Sequence, residues 1–233
     1  MALSQRDAFK SYLRRDRVHD PALTMLLIVQ CWIIAVAAPF AAIGGPGSRE
    51  LLEFLILTFA FLVFLISRGT VATAVASFAI ASGLTGSMLQ FWAPSNLSLL
   101  LAHGGTLTAM ILVCYIVGRA VLAPGEITGH RVLGAIALYL NFGILFATAY
   151  RLVWDFVPGS LSGIPEGIAS WKAYGSMLYF SLVTLTSVGY GDIVPVHPFA
   201  RTLSNLEAIV GQLYPATLLA RLITLELERH HRR

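Results

Sequence analysis

Long apolar stretches separated by short polar segments dominate the chain. Six of them stand out, at residues 22–43, 51–67, 70–93, 96–118, 132–154 and 199–222. A helix needs about 20 apolar residues to cross the roughly 30 Å hydrocarbon core of a bilayer. Most of the stretches reach that length, and 51–67 lies at the lower limit. Because only helices satisfy their own backbone in lipid, the pattern predicts six transmembrane helices.

The composition agrees with a membrane protein. Hydrophobic residues make up 57% of the chain and charged residues 12%, and the mean hydropathy is +0.75. Soluble domains carry about 25% charged residues, so this chain has too few charges to cover an aqueous surface. A soluble globular enzyme is therefore excluded. The sequence also shows no nucleophile–base pair and no cluster of metal ligands, so neither an enzyme nor an organic cofactor is expected.

The basic residues indicate how the chain is oriented. The net charge is +4, and most lysines and arginines flank the helix ends that are cytoplasmic if the N-terminus is inside. This positive-inside bias predicts a multi-pass protein with both termini in the cytoplasm. We expect membrane lipids, and no nucleic acid, as its surroundings, because no basic patch lies away from the helix ends. The compact, Ala/Leu/Gly-rich chain is typical of a bacterial inner membrane.

A shorter apolar run precedes an unusual motif near the C-terminal end. Residues 172–185 contain no proline and are too few to cross a bilayer. They predict a re-entrant helix, which leads into the sequence T-S-V-G-Y-G-D at 186–192. Non-helical backbone at membrane depth is tolerated only where protein or water surrounds it. The motif is therefore expected to line a water-filled path.

The segment Ser187–Gly191 resembles the selectivity filter of tetrameric potassium channels, whose pattern is T-V-G-Y-G followed by Asp. Rings of backbone carbonyls in such a filter replace the hydration shell of K⁺. Carbonyls can face one axis in succession only if alternate residues adopt unusual dihedrals, which Gly189 and Gly191 permit. The resemblance implies that K⁺ is the bound ion. Its ligands would be the carbonyls of Ser187, Val188, Gly189 and Tyr190, with the Ser187 hydroxyl adding the innermost site.

Ser187 stands where the family has threonine. Serine keeps the hydroxyl oxygen but lacks the methyl group that stiffens χ1. A nonselective cation channel is therefore the alternative to a potassium-selective one. The chain contains a single filter motif, and a closed ring of carbonyls needs several copies, so we expect a homotetramer.

The resemblance also implies a shell of supporting residues. Tyr179 and Phe180 stand where the family commonly has two tryptophans. Tyr179 is expected to hydrogen-bond Asp192 behind the filter, the alternative for Asp192 being a mouth carboxylate that concentrates cations. Phe180 cannot donate, which predicts a looser support. Glu207 is a carboxylate inside an apolar stretch, which favours a functional role. We expect it to bond the re-entrant helix at Thr184, the alternative being a charge ring in the cavity. The predicted supporting residues are Tyr179, Phe180, Thr184, Thr186, Asp192 and Glu207.

Two residues in the last apolar stretch predict a bend. Gly211 follows Asp192 by nineteen positions, the spacing of the hinge glycine in the family's inner helix. Pro215 removes a helical hydrogen bond one turn later. We expect a gating hinge at Gly211 and Pro215, the alternatives being close packing at the glycine and a static kink at the proline.

Four helices before a two-helix pore resemble the architecture of voltage-gated channels. A voltage sensor carries several arginines on its fourth helix, but 96–118 has none and Arg119 stands alone at its inner end. The sequence therefore predicts weak or no voltage dependence. Glu53 and His103 are isolated polar residues that are expected either to pair or to serve as scaffold. A further alternative is a potassium transport or sensor protein whose four-helix domain binds a ligand, although no ligand is identified.

The predicted fold is an all-α membrane protein with six transmembrane helices, one re-entrant pore helix and a filter, assembled as a homotetrameric pore. Its predicted function is passive K⁺ conduction. Its predicted segments are an N-terminal cytoplasmic or interfacial segment at 1–21, a four-helix domain without a charged sensor at 22–118, a cytoplasmic linker at 119–131, a pore domain at 132–225 and a short cytoplasmic tail at 226–233.

Overall fold

The computed structural model describes residues 23–37, 39–40, 70–93, 95–122, 129–165 and 170–231. Helices dominate this part of the chain. The first, α1, covers Leu23–Val36 and winds as a π-helix over Ile33–Ala37. The others are α2 (Thr70–Trp92), α3 (Asn96–Leu122), α4 (Gly129–Phe156), α5 (Ser170–Leu185) and α6 (Pro198–His231), with two short strands, β1 (Leu161–Ser162) and β2 (Val194–Pro195).

Helix α4 is the centre of the packing. It contacts α3 on one side and both α5 and α6 on the other, while α2 packs against α3. A large apolar core joins α1, α3, α4 and α5. A second core joins α4 and α5 to the segments around the two strands. The helices that carry the candidate site are thus held by α4.

Helices α3, α4 and α6 extend beyond the predicted stretches, whereas α2 (Thr70–Trp92) ends within its own stretch at 70–93. Two of the described helices are long and apolar enough to cross a membrane, Asn96–Leu122 and Gly129–Phe156. The six predicted spans stay a prediction, and the stretch at 51–67 and the segment at 1–21 lie outside the described residues. Within the predicted linker, α3 continues to Leu122 and α4 begins at Gly129. The predicted tail continues α6 as far as His231.

His103 has a partner that the sequence did not indicate. Its Nε2 lies 2.7 Å from Oδ2 of Asp155 near the end of α4, and Nε of Arg151 lies 3.8 Å from the same oxygen. Glu53, the partner considered from the sequence, lies outside the described residues. The contact joins α3 to α4.

Helix α5 and the two strands form the structure that holds the filter motif. The strands pair antiparallel, with Leu161 opposite Pro195 and Ser162 opposite Val194. β1 follows α4, and β2 follows the filter motif. The pair therefore ties the end of the outer helix to the segment that leads from the filter into α6.

Candidate functional site

The C-terminal end of α5 is fully hydrogen-bonded. The last four carbonyls of a helix have no partner within it. The Leu182 carbonyl accepts from the backbone N–H and the hydroxyl of Thr186, and the Thr184 carbonyl accepts from the N–H of Ser187 at 2.9 Å. The Leu185 carbonyl accepts from the hydroxyl of Tyr139 on α4, also at 2.9 Å. The remaining carbonyl, of Val183, bonds the filter motif itself.

The filter backbone is hydrogen-bonded to the Val183 carbonyl. The N–H groups of Val188 and Gly189 donate to the Val183 oxygen at 3.0 and 3.3 Å. All described peptide bonds are trans, and in a trans peptide the N–H and the C=O point in opposite directions. The carbonyls of Ser187 and Val188, which share peptides with those N–H groups, therefore point away from α5. This is the orientation that a carbonyl lining an open path requires.

Alternate residues of the motif are left-handed. Gly189 has φ +57° and Gly191 has φ +80°, the conformation that the sequence predicts for the two glycines. A Cβ at either position would meet no atom within 4 Å, so the requirement for glycine here is conformational rather than steric. Ser187 also has a positive φ, +60°, which the sequence does not indicate because serine adopts this region at a cost.

The outer half of the motif contacts α5 through Tyr179. The Tyr179 hydroxyl donates to the Asp192 carboxylate. Its ring stacks on Tyr190, with centroids 6.5 Å apart and an interplanar angle of 2°. Tyr190 nevertheless stays 71% exposed and Val188 53% exposed in a single chain. Packing on the chain's own helix thus covers little of either side chain.

Glu207 is buried at the junction of three helices. It is 0% exposed, and its Oε2 accepts from the Tyr150 hydroxyl of α4 at 2.7 Å. Its Oε1 accepts from the hydroxyl of Ser181 on α5. The partner on the re-entrant helix is thus Ser181 and not the predicted Thr184, because Ser181, one turn earlier, is the fully buried residue of the two.

The Ser181 hydroxyl also lies 2.7 Å from the Gly143 carbonyl of α4. Glu207 therefore links α6 to both α4 and α5. Sequence reasoning missed Tyr150 and Ser181. The available signal was their hydroxyl groups within otherwise apolar helices, because a buried carboxylate requires hydrogen-bond donors.

Phe180 packs on the outer helix. It is buried, and its ring meets Tyr150 edge-on, with centroids 5.0 Å apart. Ile193, which follows the filter motif, belongs to the same apolar core. The structure therefore gives Phe180 a packing role against Tyr150, and the predicted looser support stays a prediction.

Gly211 lies directly against the end of α5. A Cβ on Gly211 would collide with the carbonyl oxygen of Leu185, so the close-packing alternative considered for this glycine is present in the structure. Pro215 lies inside α6, which remains one continuous helix from Pro198 to His231. The predicted gating hinge at Gly211 and Pro215 stays a prediction.

Two further contacts were missed from the sequence. Gly163 has φ +91°, and a Cβ there would collide with the carbonyl oxygen of Asp192, so the loop after α4 packs closely on the filter backbone. Gln212, the residue after Gly211, donates through Nε2 to the Ser187 hydroxyl at 2.6 Å. Only the second had a sequence signal, a polar side chain in an apolar stretch.

The region that builds this site matches a known family. Residues 134–227 match the Ion_trans_2 family, described as "Ion channel". Among curated proteins, the chain is 34% identical over 76 residues to the inward rectifier potassium channel Kirbac3.1 of Paramagnetospirillum magnetotacticum, an alignment that covers 33% of this chain and 23% of that protein. No solved structure matches the chain.

Two further relatives are potassium channels from eukaryotes. The two-pore potassium channel 1 of Arabidopsis thaliana is 36% identical over 93 residues, which is 40% of this chain and 22% of that protein. The potassium voltage-gated channel subfamily A member 10 of Mus musculus is 33% identical over 98 residues, 41% of this chain and 17% of that protein.

The chain thus spans about a fifth of the length of these three relatives. Over residues 134–227 it matches an ion-channel domain, and by these relatives it is a membrane protein related to potassium channels.

Proposed function

We propose that this chain is the subunit of a homotetrameric channel that conducts K⁺ passively and selectively. The observation that carries the proposal is the backbone of Ser187–Gly191. Positive φ at Ser187, Gly189 and Gly191, together with N–H groups bound to Val183, directs successive carbonyls away from α5. Four such segments around one axis would supply stacked rings of oxygens, as dehydrated K⁺ requires.

The proposed ligands are the carbonyls of Ser187, Val188, Gly189 and Tyr190, with the Ser187 hydroxyl at the innermost site. The exposure of Val188 and Tyr190 in a single chain supports assembly, since neighbouring copies would cover apolar surface that α5 leaves open. Within the part of α6 whose side chains the structure describes, five large apolar residues are also exposed: Phe199, Leu206, Ile209, Leu213 and Leu219.

We propose weak or no voltage dependence. Within α3 (Asn96–Leu122), Arg119 is the sole basic residue apart from His103. It lies in the last turn, and its Nη1 donates to the Tyr115 hydroxyl at 3.2 Å. A single arginine at a helix end supplies far less than the 3–4 gating charges per subunit of a voltage sensor.

We further propose that six helices of each chain span the membrane, with both termini in the cytoplasm. The two long apolar helices and the excess of basic residues at the predicted inner ends support this topology. The bacterial inner membrane is the proposed location.

The test is a reversal potential. Purified wild-type protein is placed in a planar bilayer with K⁺ on one side and Na⁺ on the other. Currents that reverse near the K⁺ equilibrium potential support a selective channel, and currents that reverse near zero indicate a nonselective one. If no current flows, thermal stabilisation of the tetramer by K⁺ but not Na⁺ tests the filter directly, because ligands stabilise the state that binds them.

A pair of glycine substitutions provides the matched control. Gly189→Ala and Gly159→Ala both place a side chain on a left-handed residue, with φ +57° and +79°, and in neither case does the Cβ meet an atom within 4 Å. The backbone strain is thus similar, but only Gly189 belongs to the filter. We expect Gly189→Ala to abolish K⁺ selectivity and Gly159→Ala to retain it.

A further inference from the structure

The side chains of Gln212 and Ser187 meet at the N-terminal end of the filter motif. The Nε2 group of Gln212 donates to Oγ of Ser187 at 2.6 Å. Gly211, the residue before Gln212, packs against the carbonyl of Leu185. Because Leu185 lies two residues before Ser187, this packing brings Gln212 to the Ser187 side chain. Both side chains are exposed in a single chain, on the path that a conducted ion would follow.

Ser187 combines two properties that leave its hydroxyl poorly held. Its φ of +60° is a conformation in which a β-branched residue is a strong outlier, so the smaller serine fits it more easily than threonine. Serine, however, lacks the methyl group that restricts χ1. Among the residues that the structure describes, Gln212 is the one that bonds this hydroxyl.

The chemistry of the hydroxyl allows this bond and an ion contact together. A serine oxygen has two lone pairs and one hydrogen. One lone pair accepts from the Gln212 amide, which leaves the second for a cation. A hydroxyl held in this way keeps a fixed distance to the ion, whereas a freely rotating hydroxyl can follow a smaller ion such as Na⁺.

Building on the proposed K⁺ channel function, we propose that Gln212 is a positioning residue for the innermost ion site. By its hydrogen bond it restricts χ1 of Ser187 and so replaces the missing methyl group of threonine. It acts on K⁺ over Na⁺ discrimination through Ser187, and each of the four subunits supplies one such pair.

The experiment combines two substitutions. Gln212→Met keeps the length of the side chain but removes the donor, and Gln212→Asn keeps the amide but is too short to reach. Each is made with Ser187 and with Ser187→Thr, and K⁺/Na⁺ permeability ratios are obtained from reversal potentials with the two ions on opposite sides. Leu213→Met is the control. Leu213 is the next residue of α6 and is exposed, and the substitution introduces the same methionine side chain.

With Ser187 present, both Gln212 variants are expected to lower the permeability ratio by about three- to tenfold, the range for losing one hydrogen bond. In the Ser187→Thr background the same substitutions are expected to change the ratio by less than about twofold, because the threonine methyl already restricts χ1. Leu213→Met is expected to leave the ratio unchanged. A general loss of packing would not be rescued by threonine.

Four results would overturn the inference. An unchanged ratio in both Gln212 variants, or an equal loss in the two backgrounds, rejects the positioning role while the wild-type channel remains selective, so the proposed function stands. A wild-type channel that is itself nonselective rejects both. If Ser187→Thr does not assemble as a tetramer, the Gln212 variants with Ser187 decide. Retention of the wild-type permeability ratio by Gln212→Asn rejects the positioning role. A lowered ratio in both Gln212 variants, but not in Leu213→Met, supports the positioning role.

Discussion

Gly211 of the last helix lies against the carbonyl oxygen of Leu185, the final residue of the re-entrant helix, with no room for a Cβ between them. The same oxygen accepts a hydrogen bond from Tyr139 at 2.9 Å. Three helices therefore converge on one carbonyl immediately before the filter motif. The position of α6 relative to the filter is set there.

Gly211→Ala is expected to destabilise the assembled protein by about 1–3 kcal/mol, the usual cost of overpacking. The gain in helix propensity of about 1 kcal/mol from replacing glycine offsets part of that cost. Thermal unfolding of the purified protein measures the effect. Gly104→Ala, on α3 with no atom within 4 Å of its added Cβ, is the control and should stabilise slightly. Equal unfolding temperatures for the Gly211 variant and the wild type would contradict close packing at this site.

Tyr150→Phe is expected to cost about 1–3 kcal/mol, because it removes one of the donors that satisfy the buried Glu207 carboxylate. The ring of Tyr150 and its contact with Phe180 are kept, so the loss reports the hydroxyl alone. Unfolding of the purified protein in denaturant, compared with the wild type, measures it. Tyr115→Phe, whose ring is 55% exposed, should change stability by less than about 0.5 kcal/mol.

The two donors to Glu207 are expected to be coupled. Ser181→Ala combined with Tyr150→Phe should cost an amount that differs from the sum of the single changes by 0.5 kcal/mol or more, in a double-mutant cycle. Strict additivity would mean that the two hydroxyls do not share one carboxylate.

Gly163→Ala is expected to disturb the outer end of the filter, because its Cβ would collide with the Asp192 carbonyl. The matched change is Gly159→Ala in the same loop. Both glycines have positive φ, +91° and +79°, but only the first has a close neighbour. The stability and K⁺/Na⁺ permeability ratio of Gly163→Ala should fall below those of Gly159→Ala. If the two variants had the same stability and permeability ratio, backbone strain alone would explain both, and the close contact with Asp192 would have no effect.

Tyr179→Phe removes the hydroxyl that bonds Asp192 but keeps the ring stacked on Tyr190. We expect a smaller permeability ratio, since the carboxylate that follows the filter loses its link to α5. Asp192→Asn should give a change of similar direction, and adding Tyr179→Phe to it should add little. Additive losses would indicate that the two residues act separately. Reversal potentials with K⁺ opposite Na⁺ provide the measurement.

The sequence by itself indicated the class of protein and predicted the place of its chemistry. Apolar stretches and scarce charges are properties of the chain that do not depend on packing, so they indicated membrane helices directly. The segment Ser187–Gly191 is local, and its two glycines predicted positive φ because only backbone sterics are involved. The short run before it predicted a helix, observed as Ser170–Leu185; that this helix is re-entrant stays a prediction.

Tertiary structure decided which side chains meet. Glu207 was expected to bond Thr184, but its partners are Ser181 and Tyr150, which lie 26 and 57 positions away. Gln212 likewise bonds Ser187, and His103 pairs with Asp155, although the sequence indicated neither partner. A polar residue in an apolar helix predicts that a hydrogen-bonding partner is present, because an unpaired polar group is costly there. Which partner it finds depends on the rotation and height of each helix against its neighbours, and these follow from close contacts such as that of Gly211 with Leu185.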